Sequence, residues 1–307
     1  MQVSPLFLGG AILSGVYFGD RCSPVSTSAQ LVKTLTHTNI FDNIRLMLHT
    51  AAVPFALTCV VYAALALCTH PSVGSMDVAG LFAEAFNLHW VTVLPAVVLI
   101  VLAVARVDVR LTMGASICTA LPICLFVQHM DWLSVGQALM LGYHCPNAQV
   151  EPLIDGGGVI SMIKVMLIVC ISSSYSGIFQ ETGLLGGAHR MIRRIANRVG
   201  GFCATLITSI VTSCVACNQT LSIMLTDQLC REVEPDEQRH AINLEDTAVV
   251  VAPLIPWSIA GAVPLASVGA PTASLSFACF LYLLPLYRCI RRKRTPHRPQ
   301  STSAESK

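Results

Sequence analysis

The sequence predicts an all-α polytopic membrane protein whose helices are interrupted inside the bilayer. Three observations predict it. Apolar residues make up 54% of the 307-residue chain and charged residues only 12%, about half the charged share of a soluble domain. The charges are clustered, leaving several stretches of the length a helix needs to cross a bilayer, about 17 to 25 residues. Two more regions, 5–38 and 200–268, are apolar but broken by polar and helix-disrupting residues. Such breaks survive at membrane depth only when buried in protein or lining a cavity.

The elements follow in chain order. Residues 5–38 carry Gly15-Val-Tyr-Phe-Gly-Asp20 and then Ser23-Pro-Val-Ser-Thr-Ser28, and are read as a re-entrant hairpin. Asn39-Ile-Phe-Asp42 leads into a span over 43–68 that contains Pro54. Spans over 88–105 and 109–127 are joined by the tight Arg106-Val-Asp-Val-Arg110 connection. A further span, 157–179, contains Lys164 and the run Ser172–Ser176. An unpaired ammonium is expensive at membrane depth, so Lys164 is either a site residue or a side chain snorkelling to the nearby outer interface, the simpler account. The serine run either lines a transport path or packs helices through small hydroxyl residues.

Residues 187–200, GAHRMIRRIANRVG, are too charged to span. They form either a helix along the cytoplasmic interface or a solvated connecting helix. The second interrupted region places Asn218-Gln219-Thr220-Leu-Ser222 at the tip of a hairpin over 200–229, then Asn243-Leu-Glu-Asp246, then Pro253, Pro256 and Pro264. A fifth span covers 269–290. The membrane domain thus runs over 1–290, and the polar, basic tail 291–307 is expected to be disordered.

Charge asymmetry sets the orientation. Connections 70–87 and 128–156 hold Asp77, Glu84, Asp131, Glu151 and Asp155 but no Lys or Arg, whereas 188–198 hold four arginines and 288–298 six more basic residues. The positive-inside rule puts the arginine segment and the C-terminus in the cytoplasm, in a multi-pass plasma-membrane protein. Other classes are excluded or disfavoured. A formal charge of +2 supports no nucleic-acid surface, and the N-terminus lacks the basic start and unbroken apolar core of a secretory signal. The thirteen cysteines are scattered singly, and Cys214-Val-Ala-Cys217 lacks a second pair or a histidine partner, so they are read as packing residues.

The two interrupted regions echo each other. Each places a polar tip upstream of an N-x-x-D stretch that enters a proline-containing apolar run. Paired interruptions in two halves point to the binding site of a secondary transporter, where freed backbone groups and half-helix dipoles meet an ion. Ser, Thr, Asn and Asp at the breaks add hard oxygen ligands.

In sequence order, SGVYFGDRCSPVSTSAQL, NIFDNIRLMLHTAAVP, GGGVISMIKVMLIVC with GIFQETGLL, CNQTLSIMLTDQ and NLEDTAVVVAPLIPWSIAGA resemble the NhaC-type sodium/proton antiporters of the ion-transporter superfamily, over nearly all of 8–270. The resemblance implies inverted repeats, each with a re-entrant hairpin and a broken helix. It implies ion-site roles for Asp20, Ser23 and Ser26 at the first hairpin, Asp42 at the start of the next helix, Asn218, Gln219 and Ser222 at the second hairpin, and Glu245 and Asp246 on the broken helix, which also carries Trp257. Asp20 and Asp246 are the implied Na⁺ ligands. The departures are an N-terminus lacking the family's first scaffold helices, Thr27 where the first tip commonly has aspartate, and Asn218 where the second does. Inverted repeats also need the hairpins on opposite membrane sides, which requires either 131–149 to dip into the membrane or 200–217 to cross it.

The expected function is exchange of Na⁺ for H⁺, coupled in some relatives to a small organic anion, with no cofactor and no enzymatic activity. A second copy of the chain and the lipid bilayer are the other expected partners. Two alternatives stand beside this: a truncated non-transporting fragment or half-transporter, and an intramembrane aspartyl protease, for which Tyr17-Phe-Gly-Asp20 is a loose motif and two aspartates would share a proton.

Overall fold

The computed structural model describes residues 4–69, 86–105, 107–145, 156–160 and 186–293, with isolated residues between 80 and 83 and between 162 and 178. Lys164, most of Ser172–Ser176, the acidic residues 77, 84, 151 and 155, and the tail beyond Lys293 lie outside the described residues. The described residues are mostly helical and form two compact units, one of residues 3–71 and 176–307, the other of 72–175 with the first two residues.

Helices α1 (Pro5–Cys22), α2 (Thr27–Thr36) and α3 (Ile40–Thr69) open the larger unit. In the smaller unit, a 3₁₀ turn Trp90–Val93 leads into α4 (Leu94–Val104), followed by α5 (Val109–Phe126) and α6 (Trp132–Leu141). Asp108 caps α5 by accepting from the Arg110 amide at 2.9 Å, and Ser116 donates from α5 to the Pro95 carbonyl of α4 at 3.0 Å. The larger unit resumes with α7 (Gly186–Val199), α8 (Gly201–Ala216), α9 (Gln219–Cys230), α10 (Glu237–Glu245), the single turn α11 (Ala248–Val251) running into 3₁₀ Ala252–Leu254, α12 (Ile259–Ser267), 3₁₀ Thr272–Phe277 and α13 (Cys279–Lys293).

Among the described residues two helices, Ile40–Cys68 and Val109–Phe126, are long and apolar enough to cross a bilayer, matching the expected spans 43–68 and 109–127. Leu67 and Phe126 on them are 75% and 74% exposed, as suits surfaces that face lipid. The expected broken helix is present: Glu237–Leu254 and Ile259–Ser267 meet at a 62° bend. Pro256 lies in the break itself, and no proline amide can carry a helical ladder onward.

The fifth expected span differs. It is not one helix from 269, because Gly269 takes φ +62° and Pro271 heads a 3₁₀ segment, so α-helix begins only at Cys279. At its other end the helix continues to Lys293, three residues into the expected tail.

Helix α7 is amphipathic. Ile192, Ile195 and Ala196 pack on Ala204, Leu229 and Val233, while Arg193 reaches Glu232 at 2.6 Å on the exposed side. Inside the unit, α1 is the hub. Leu13 and Tyr17 pack with Val250, Leu265, Phe280, Leu281 and Leu284, and Phe18 stacks on Phe55 of α3 at 4.2 Å. Close approach of α1 to the 3₁₀ segment depends on Gly10, where a Cβ would stand 2.6 Å from the backbone of Phe277. Gly10→Ala is therefore expected to destabilise the unit by about 1–3 kcal/mol, seen as a lowered unfolding midpoint in detergent.

Candidate ion site

Three interruptions of helix meet in the larger unit. The first follows α1: Pro24 cannot extend the helix, and Ser26 restarts it as the N-cap of α2. The second follows α8, which ends at Cys217 with φ +56°; Asn218 then caps α9 by accepting from the Leu221 amide at 2.8 Å. Either Asn or Asp does this well, so Asn218 keeps the shape of the tip without a charge. The third is the break of the bent helix. The Trp257 indole donates to the Cys214 carbonyl at 2.9 Å and the Ile259 amide to the Cys217 carbonyl at 3.0 Å, tying that break to the second tip.

Asp20, on the last turn of α1, lies where the tips meet. Ser26 donates to its Oδ1 at 2.6 Å and Ser28 to its Oδ2 at 2.7 Å, and the two hydroxyl oxygens are 2.8 Å apart. From the second tip, Gln219 Nε2 donates to Asp20 Oδ2 at 3.3 Å and to the Val249 carbonyl at 3.1 Å. One side chain thus links the first tip, the second tip and α11.

The next residue faces the opposite way. Arg21 is fully buried and forms an ion pair with Asp246, itself fully buried where α10 gives way to α11. Arg21 also donates to the Met47 carbonyl at 3.1 Å and the Thr50 hydroxyl at 2.8 Å. Arg288 of α13 brings its Nε to 2.6 Å from the other Asp246 oxygen, with its guanidinium over the Phe202 ring. Glu245, 1% exposed, has Oε2 without a hydrogen-bond partner among the described residues; the charges acting on it are Arg21, Asp20 and Asp246. Two guanidinium groups thus face three carboxylates, a formal charge of −1 when all are ionised.

Of the expected site residues, Asp20, Ser26 and Gln219 come together, with Asn218 shaping the tip. Glu245 and Asp246 form the adjoining charged layer, where Asp246 sits between two arginines and accepts from the Thr50 hydroxyl at 3.3 Å. Ser23 accepts from the Val25 amide at 3.3 Å and shapes the turn. Ser222 pairs with Ser213 at 2.6 Å between α9 and α8. Asp42 is exposed on the first turn of α3, and its neighbour Asn43 is buried instead. A protease dyad would need two carboxylates sharing a proton; here Asp20 is held by serines and Asp246 by arginines.

Ser28, Arg21, Thr50 and Arg288 were not expected. Only Ser28 had a local signal, lying two residues beyond Ser26 in the same hydroxyl-rich tip. A second buried polar pair also went unread: His240 Nε2 lies 2.9 Å from Asp227 between α10 and α9, and Arg231 bonds the same carboxylate.

The sequence model of the Na⁺/H⁺ antiporter family matches residues 15–290. Among individual relatives, the Na⁺/H⁺ antiporter NhaC of Alkalihalophilus pseudofirmus is 26% identical over 301 residues, covering 93% of this chain and 64% of the relative. The arginine/ornithine antiporter ArcD of Halobacterium salinarum is 27% identical, covering 86% and 57%. The malate-2H⁺/Na⁺-lactate antiporter of Bacillus subtilis is 21% identical, covering 90% and 61%. The chain thus spans between 57% and 64% of the length of these relatives. No solved structure matches.

Proposed function

Because this chain belongs to the Na⁺/H⁺ antiporter family, we propose that it is a multi-pass membrane protein exchanging Na⁺ for H⁺, with Asp20 as the carboxylate that either ion neutralises. The observation that carries this reading is the meeting of the first two tips on Asp20, with the third break tied to the second tip, in a cluster of three carboxylates and two guanidinium groups whose formal charge is −1 when all are ionised. A single monovalent cation or a single proton balances that charge. Competition for one place couples the two flows without any covalent chemistry.

The hydroxyls make the site adaptable. A serine hydroxyl is both donor and acceptor and rotates to suit. With no ion bound, Ser26 and Ser28 turn their protons to the carboxylate. With Na⁺ bound, they turn them away and offer lone pairs beside Asp20, as a hard cation requires. Glu245, buried with an unsatisfied oxygen, is the second carboxylate able to hold the proton. Asp246 is the fixed group that the arginines use to hold the broken helix in place.

In this reading the hairpins α1–α2 and α8–α9 are the corresponding halves of two inverted repeats, supported by their shared helix–polar tip–helix form and the meeting of their tips. The arginines of α7 and the basic end of α13 support a cytoplasmic C-terminus. Both guanidinium groups near the site are already on Asp246, which favours a small cation over an organic anion as the bound species.

The test uses everted membrane vesicles carrying this chain, from cells without other Na⁺/H⁺ exchange. Added Na⁺ should dissipate an imposed pH gradient, and no dissipation would overturn the reading. In the same assay Ser28→Ala should raise the half-saturating Na⁺ concentration roughly tenfold, about 1.4 kcal/mol, in the range of a hydrogen bond to a charged group. An unchanged Na⁺ dependence would remove Ser28 from the site.

A further inference from the structure

Away from the ion site, two cysteines widely separated in sequence meet. Cys203 in the first turn of α8 and Cys289 near the end of α13 lie with their sulfurs 3.1 Å apart. Both are half-buried and neither is in a disulfide. The residues just before them form the neighbouring contact: Phe202, 1% exposed, lies under the Arg288 guanidinium, 5.3 Å from ring centre to Cζ. Helices α8 and α13 thus touch through two consecutive pairs, 202 with 288 and 203 with 289. The second pair has the thiol chemistry to become covalent, and the first carries the arginine that reaches Asp246 at 2.6 Å.

We propose that Cys203 and Cys289 are a reversible oxidation site, whose disulfide latches α13 to α8 and holds Arg288 on Asp246. The oxidant is a small soluble disulfide. One cysteine thiolate attacks its S–S bond, forming a mixed disulfide and releasing one small thiol. The second cysteine attacks the protein sulfur of that mixed disulfide, forming the 203–289 bond and releasing the other small thiol. The two released thiolates take up the two protons that the cysteines lose, and the oxidant gains the two electrons.

The location suits the chemistry. Both cysteines adjoin the arginine-rich segments assigned to the cytoplasmic side, within reach of soluble thiols. A reducing cytosol keeps the pair open at rest, so the bond forms only under oxidative load, as for regulatory intracellular disulfides. Cys214 and Cys217, which have the spacing of a redox motif in sequence, are not the pair the fold brings together. Opening leaves Arg288 free to leave Asp246, and closure removes that freedom. The chemical readout does not depend on ion exchange, so it can fail or succeed independently of the proposed function.

The test takes membranes containing the full chain, treats them with glutathione disulfide, blocks remaining thiols with N-ethylmaleimide and maps linked peptides by mass spectrometry without reduction. The 203–289 link should be the dominant linked peptide, should vanish with dithiothreitol, and should be absent from Cys203→Ser and from Cys203→Ala. On oxidation, amide hydrogen exchange along α13 should slow in the parent chain and stay unchanged in both variants. Full alkylation of both cysteines after oxidation would overturn the site. A link that forms without slowing exchange in α13 would overturn the latch.

Discussion

Arg21→Met is expected to remove most of the folded protein from the membrane. Arg21 and Asp246 are both fully buried and form an ion pair 225 positions apart in sequence. Removing one partner of such a pair strands the other charge in a low-dielectric interior, at a cost of about 3–5 kcal/mol. That is a large part of the 5–15 kcal/mol by which a typical protein is stable. Two features raise the expected effect. Arg21 also donates to the Met47 carbonyl and the Thr50 hydroxyl, so three acceptors lose a donor together. Pro54, lacking an amide proton, cannot supply the helical bond to the Thr50 carbonyl, so α3 is already short of one bond at that turn.

Arg288 cannot fully substitute. It reaches the other oxygen of Asp246 from a position 23% exposed, outside the fully buried place that Arg21 fills. The decisive comparison is the double variant Arg21→Met/Asp246→Leu. Replacing both members of a buried pair by apolar groups is often neutral, so the double variant should regain more than half of the folded yield lost in the single one, measured as monodisperse protein after extraction. A double variant no better than Arg21→Met would show that the pair is not what holds α1 to the broken helix.

This pair marks the limit of what the sequence discloses. The breaks were legible because proline, and polar runs inside apolar segments, act locally; 23–26, 217–218 and 255–258 could be read without the structure. Asp20 with Ser26 was legible for the same reason, six residues apart in one tip. Gln219 was legible only as a polar tip residue, not as a bridge to Asp20. Arg21 was invisible as a core residue because its partner is 225 positions away, and Arg288 was absorbed into the basic C-terminal segment that sets orientation, where its inward reach has no sequence signal.

The N-x-x-D echo misled at Asp42. Matching letters aligned it with Asp246, but a shift of one position on a helix turns a side chain by about 100°, and Asn43 takes the inward place. The span expected over 269–290 was misplaced for a related reason. Mean hydropathy reports that 269–278 are apolar, but not that Gly269 turns with a positive φ or that Pro271 opens a 3₁₀ turn.

Asp20→Asn is expected to abolish Na⁺-dependent dissipation of a pH gradient while leaving the chain inserted and folded. The amide is nearly the same size and keeps one oxygen to accept from a serine, so packing at the tip is preserved. What is lost is the negative charge that a cation or a proton neutralises. With Asp20 neutral, the place where Ser26, Ser28 and Gln219 meet carries no negative charge for either ion to balance. Asp246→Asn is expected to behave differently: it leaves Arg21 buried beside a neutral partner, so folded yield falls along with exchange. Glu245→Gln separates the two roles, since Glu245 is buried with one oxygen that has no hydrogen-bond partner among the described residues. It should leave folding and Na⁺ binding in place while altering how exchange depends on pH. The measurements are exchange in everted vesicles at several pH values and extracted yield, for all three variants side by side. If Asp20→Asn exchanges normally, Asp20 is not the ion-carrying group. If Asp246→Asn folds as well as the parent but does not exchange, the ion site lies at Asp246, and the arginines around it move during transport.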